Sequence, residues 1–183
     1  MCSSDLLRVE LARWFTPEPA FDVEDRLGGL ELRRYRARIE ARVQVDEPSL
    51  EEALHHGYRL LADYAAGDND LVEHVGRTTP ILIAMRDGRY KVSFVMPPGR
   101  TLRELPWPTH PAIELREVLA RRIAALRFRG RFTRDNIAAH ERVLLQQLVD
   151  TGLAARGSVA FAAFDSPATL PFLRRNELWI DLA

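Results

Sequence analysis

Five histidines, one cysteine and 26 carboxylates are the groups in this chain able to hold a metal or move a proton. Two of the histidines, His55 and His56, are neighbours in a segment that reads as a helix, so a 100° step sends them to different sides. Leu50, Leu54, Gly57, Leu61, Tyr64 and Ala65 form one apolar stripe, with Tyr58 at its margin. His55 falls just beyond that margin, on the side of Arg59 and Ala62, whereas His56 and Asp63 point the opposite way, to water. An imidazole beside an apolar stripe can line a pocket between helix and sheet and donate to iron. It can equally border the core and bond a carbonyl or water. The residues alone leave both readings open.

The other histidines carry less. His140 lies on the flank of a second helix whose core stripe is expected to be Ile137, Leu144, Leu145 and Leu148, and His74 and His110 fall in loops. No HxxxH, HxxEH or Cys/His spacing marks a zinc site. Cys2, the single cysteine, excludes an intrachain disulfide and a Cys-based zinc site, and a reduced, cytoplasmic setting is expected. Catalytic patterns are missing too: no GxSxG elbow, no phosphate-cradling glycine loop, no GxGxxG between strand and helix. The pairs Glu51-Glu52 and Glu24-Asp25 read as solvated charge, and no buried acid is evident. Arg174-Arg175-Asn176-Glu177 reads either as a turn locked by charge-assisted bonds or as a guanidinium at a pocket rim facing an anion such as a propionate.

The chain that positions these groups has 183 residues and a composition 46% hydrophobic and 28% charged, enough for a substantial core. Arginine and lysine balance the acids at 26 each, so no global field recruits nucleic acid, and the one lysine is Lys91. No apolar run is long enough for a membrane-spanning helix.

Pro17-Glu18-Pro19 ends an N-terminal arm over residues 1–19; one domain is expected over 20–183. Alternating strands are expected at Phe21–Glu24, Leu30–Tyr35 and Ile39–Val45. A capping box, Ser49 with Glu52, opens a helix running to Ala66 before Gly67. Strands Ile81–Met85 and Tyr90–Met96 flank an Asp87-Gly88 hairpin turn, and a Pro-rich loop follows. Ile113–Leu119, Arg122–Phe128, a helix from Thr133 to Thr151, Val159–Phe164 and Glu177–Leu182 complete the set. Leu30-Glu31-Leu32-Arg33 is echoed by Ile113-Glu114-Leu115-Arg116, and the order strand–strand–helix–strand–strand recurs over about 29–97 and 112–183. The expected fold is α+β: a duplicated unit forming a twisted antiparallel β-barrel, flanked by two main helices.

Several segments together resemble the SOUL family of haem-binding proteins. They are Phe164-Asp165-Ser166-Pro167, the run Pro171 to Trp179, Thr78-Thr79-Pro80-Ile81, Ser93-Phe94-Val95-Met96-Pro97 and the helix from Glu52 to Asn69. The resemblance covers about Phe21 to Leu182 and implies binding of haem or a related tetrapyrrole in an apolar groove beside the first helix, without catalysis. It places His55, Tyr58 and Ala62 at that groove but fixes no axial ligand, since the family has no uniform one; the expected site adds Arg59 toward a propionate and takes His55 as the axial iron ligand. Two positions depart from the family pattern: Arg77 stands where many relatives have methionine, and Asp63 where some have a basic residue. The alternative is an effector-sensing or partner-binding domain for another apolar small molecule, since the fold also resembles the effector domains of bacterial regulators.

Overall fold

The computed structural model describes residues 17–165 and 169–183. Most of the expected N-terminal arm, and Ser166 and Pro167 of the expected turn, lie outside them. Among the described residues nine strands form one antiparallel sheet: β1 (Phe21–Leu27), β2 (Leu30–Tyr35), β3 (Arg38–Val45), β4 (Ile81–Arg86), β5 (Arg89–Val95), β6 (Ile113–Val118), β7 (Arg121–Phe128), β8 (Ala155–Ala163) and β9 (Asn176–Leu182). Helix α1 spans Leu50–Ala66, helix α2 Arg134–Thr151, and a 3-10 turn Pro171–Leu173 precedes β9.

The strand order is β1-β2-β7-β9-β8-β4-β5-β3-β6. Outward from the central β8–β4 pair it reads β4-β5-β3-β6 on one side and β8-β9-β7-β2 on the other. Strand β2 therefore completes the later half of the chain and β6 the earlier half. The expected barrel is not formed, because the sheet stays open with β1 and β6 at its edges. The reason is local: the chain enters through β1, which pairs with β2 and occupies the edge that closure onto β6 would need.

Local chemistry explains each boundary. The Ser49 side chain accepts the Glu52 amide at 3.2 Å and Thr133 that of Asn136 at 3.4 Å, satisfying donors left over at each helix start. Gly152 ends α2 in the left-handed region at φ 66°, where a side chain would be strained. Asp87 and Gly88, both with positive φ, turn the β4–β5 hairpin in the sense that matches strand twist.

Both helices lie on one face of the sheet. Ala53, Leu54, Gly57, Leu61, Tyr64 and Ala65 are the buried positions of α1: five of the expected stripe, with Ala53 added and Leu50 only half-buried at the first turn. For α2 they are Ile137, Leu144 and Leu148; the expected fourth, Leu145, is 44% exposed. Leu145 follows Leu144 by 100° and so leaves the narrow seam that 137, 144 and 148 share. The main core joins these helix positions to Leu30, Leu32, Ala41, Val43, Val92, Phe94, Leu126, Phe161, Leu178 and Ile180. Alternation sends the intervening residues to the helix-free face, where Tyr35, Leu82, Ile123, Ala125, Ala162, Phe164 and Trp179 form a second cluster. That face curls on itself: Arg121 on β7 comes within 4.0 Å of Glu40 on β3, although four strands separate β7 from β3.

Candidate functional site

Helix α1 brings the four expected residues onto one side, because positions 55, 58, 59 and 62 are spaced three and four apart. His55 and Arg59 are exposed, while Tyr58 and Ala62 are half-buried against the core. The Tyr58 ring packs on Phe94 of β5 with centroids 5.6 Å apart, tilted at 59°. Arg77 completes its surroundings: the guanidinium donates to the Tyr58 hydroxyl and lies 5.7 Å from the ring centroid. The residue that departs from the family pattern thus joins this patch.

Beneath the helix there is no slot at its midpoint. A Cβ on Gly57 would come within 2.5 Å of Val92 Cγ2 and 2.6 Å of its Cβ, so α1 sits flush on β5 and no planar ring fits between them. What the helix offers a ligand is its outer side. There the helix carries an imidazole, a phenol backed by Phe94, a small alanine and the Arg59 guanidinium at neighbouring turns, and Arg77 reaches the phenol; such groups can donate to a metal, stack on a ring or bind carboxylates. His56 is not freely solvated as expected, since its Nδ1 lies 2.6 Å from Glu47 Oε1. His140 stacks on Phe128 with centroids 4.2 Å apart and places Nδ1 2.8 Å from the Asn136 carbonyl. No cluster of three or more histidine, cysteine or acidic side chains fit to hold a metal ion occurs among the described residues.

A recess of about 740 Å³ lies elsewhere, between the edge strand β6 and the Pro-rich loop. Leu102, Trp107, Pro108 and Pro111 form one wall and residues 113–117 the other, and none of the four expected site residues lines it. Because it also shares no lining residue with Phe94 or Arg77, it is a separate feature from the aromatic patch on α1.

The structure also buries two acids, Glu40 and Glu177, that the sequence reading did not place in the interior. Glu177 is fully enclosed on the helix-free face, where Arg33 binds it through both oxygens, Arg175 donates to Oε1 at 3.0 Å and Trp179 Nε1 to Oε2 at 2.7 Å. Burial alone would raise its pKa, but the hydrogen bond and charge of Arg33, with Arg175 beside it, hold the carboxyl below the ordinary value. Glu40 accepts Nε bonds from Arg38 at 3.0 Å and Arg42 at 3.1 Å. Its pKa too is lowered, the charges of Arg38, Arg42 and Arg121 outweighing burial. The signal was present as alternation, Arg38-x-Glu40-x-Arg42 and Arg175-x-Glu177-x-Trp179, which places all three side chains of each set on one strand face. The locked-turn reading of residues 174–177 holds: Arg175 also donates to Glu18 at 2.7 Å, its amide to Asp165, and Arg174 Nε to the Thr169 carbonyl at 2.8 Å.

Among the described residues no helix is long and apolar enough to cross a membrane. Similarity to known structures extends over the whole fold. The C-terminal domain of EcmrR superposes with a TM-score of 0.65 at 11% identity, covering 84% of this chain and 96% of that one. A hydrolase encoded by lin2189 of Listeria innocua gives 0.54 at 12% identity over 95% of this chain and 97% of its own. Identities this low show a shared fold and nothing of its chemistry. In sequence, the chain is 27% identical over 147 residues to heme-binding protein 1 of Mus musculus, covering 76% of this chain and 77% of that protein. It is 28% identical over 148 residues to heme-binding protein 1 of Sus scrofa, with the same coverage. The model of the SOUL heme-binding protein family matches residues 16–181, and the chain belongs to that family.

Proposed function

We propose that the protein binds haem or a related tetrapyrrole, without catalysis, on the outer side of α1 formed by His55, Tyr58, Arg59 and Ala62. The observation that carries this reading is the half-buried Tyr58 ring, backed by Phe94 and capped by Arg77, next to the small Ala62 and the exposed His55. In this reading Tyr58 and Ala62 supply apolar contact, the usual main source of affinity for a flat ligand. His55, an imidazole at the edge of that contact, donates to the iron. Arg59 and Arg77 receive the propionates through charge-assisted bonds. Bound haem would supply a metal centre and colour; the residues here bind and orient it. The matching strand orders of the two halves support reading the domain over 20–183 as a duplicated unit.

Hemin titration followed in the Soret region tests the proposal. Wild type is expected to shift and sharpen the free-hemin band, and His55→Ala to change band position. A spectrum identical to free hemin sinks the binding claim. A His55→Ala spectrum matching wild type removes only the ligand role of His55. Protein that leaves hemin unchanged yet melts higher with other planar hydrophobes supports the alternative of an effector-sensing domain.

A further inference from the structure

The helix-free face carries a surplus of positive charge that its own acids do not neutralise. Around Glu40 stand Arg38 and Arg42 from the same strand, Arg121 from β7 and Lys91 from β5. The carboxylates facing them are Glu40 and Asp181, the latter bound by Arg121 Nη1 at 3.0 Å. Four cations thus meet two anions. Arg116, the β6 neighbour of Glu40 in register, does not alter the balance because it pairs with Glu114 at 2.6 Å.

Three donors in this cluster are buried and find no acceptor among the described residues: Arg38 Nη1, Arg121 Nε and Ser93 Oγ. Ser93, 1% exposed, lies directly opposite Arg42 across the β3–β5 ladder. The Arg38 side chain is 7% exposed, so its unused donor sits deep in the face rather than in bulk water. Donors stranded this way cost free energy unless something accepts from them. The like charges also press on one another: burial first, then Arg42, lowers the Lys91 pKa, and burial with Arg121 lowers that of Arg38. One side remains open, because Arg42 and Arg121 keep 23% and 25% of their side-chain surface in solvent.

We propose that this cluster is a binding site for a small oxyanion, a phosphate or carboxylate group, gripped by Arg42, Lys91 and Arg121 over a floor made by Arg38 and Ser93. An oxyanion supplies what the cluster lacks, negative charge and several acceptor lone pairs converging from one direction. The site lies on the opposite face of the sheet from α1 and is independent of the haem reading.

Isothermal titration of the full chain with sodium phosphate, and separately with sodium acetate, at ionic strength fixed with sodium chloride, tests it. Saturable binding to wild type is expected, weakened about tenfold by Arg42→Gln and by Lys91→Gln through loss of one charge-assisted contact each. Both substituted side chains are partly exposed, and far-UV circular dichroism checks that each variant folds. Tighter binding of phosphate identifies a phosphoryl ligand, and tighter binding of acetate a carboxylate. Hemin spectra of both variants are expected to equal that of wild type, which separates this site from the patch on α1. Heats equal to those of a chloride control, or affinities unchanged in both variants, overturn the proposal.

Discussion

Arg33 on β2 and Glu177 on β9 form a two-pronged ion pair across the intervening β7, with Nη1 to Oε2 at 2.6 Å and Nη2 to Oε1 at 3.1 Å. Both side chains are buried, and Trp179 and Arg175 fill the remaining lone pairs of the carboxylate. A buried pair with its hydrogen bonds complete holds three strands in register. Losing one partner leaves an uncompensated charge, which typically costs about 3–5 kcal/mol.

Acid is therefore expected to destabilise the fold through Glu177 and Glu40. Both have folded pKa values below the ordinary glutamate value, so each contributes stability that is fully present above the unfolded value. That contribution is lost as pH falls through the depressed folded values. Melting temperature should be flat from neutral pH down to about 5, as unfolded carboxylates begin to protonate only near their ordinary pKa. It should fall steeply below that. Glu177→Gln should melt lower at pH 7 and show a shallower acid limb; a limb as steep as that of wild type contradicts the assignment.

Gly57→Ala should destabilise the protein although alanine favours helix. The new methyl would meet Val92 Cγ2 at 2.5 Å, and a β-branched valine in a strand has little freedom to move aside. Overpacking of this kind costs about 1–3 kcal/mol, more than the roughly 1 kcal/mol gained in propensity. Urea titration should give a net loss of up to about 2 kcal/mol on those scales. Combining it with Val92→Ala should cost less than the sum of the two single changes; strict additivity would argue against the contact.

On α2 the neighbours Leu144 and Leu145 should behave oppositely. Leu144, fully buried, should cost about 2–5 kcal/mol when cut to alanine. Leu145→Gln should stay within about 0.5 kcal/mol, as surface changes usually do. Equal losses at the two sites would place the α2 seam differently.

Ala62→Asp is expected to weaken hemin binding at least tenfold, by removing apolar contact and setting a carboxylate against an anionic ligand. Ala62 is half-buried rather than enclosed, so the melting temperature should change little. Undiminished Soret shifts in this variant would move the ligand off α1.

The apolar half of the architecture was legible because period is directly readable: 3.6-residue spacing gave α1, and alternation gave β2 and β3. Leu145 shows the limit, since two adjacent leucines cannot both face a narrow seam and spacing alone did not say which would. Sheet closure was not legible either, because it depends on which edge β1 takes, and β1 is exposed along most of its length, so its pattern names no buried face. Glu40 was overlooked, and Glu177 was read within a locked turn but not as interior, for a different reason. Acidic residues are normally solvated, and the alternating arginines beside each show a partner but not burial, which comes from strands distant in sequence packing around them. The helical stripe at 55, 58, 59 and 62 was readable, whereas the tight approach of Gly57 to Val92 required the packed sheet.

Because β2 is inserted beside β7 and β6 beside β3, neither half of the chain owns a finished sheet. Cutting the polypeptide within the Pro-rich loop and purifying the pieces separately should yield two sticky, poorly structured fragments, each missing a strand that only the other can lend. Mixed together they should reassemble into one cooperative particle, detectable as a single melting transition. The exchanged strands clasp the two halves together, so losing either half should leave the other without a strand of its sheet.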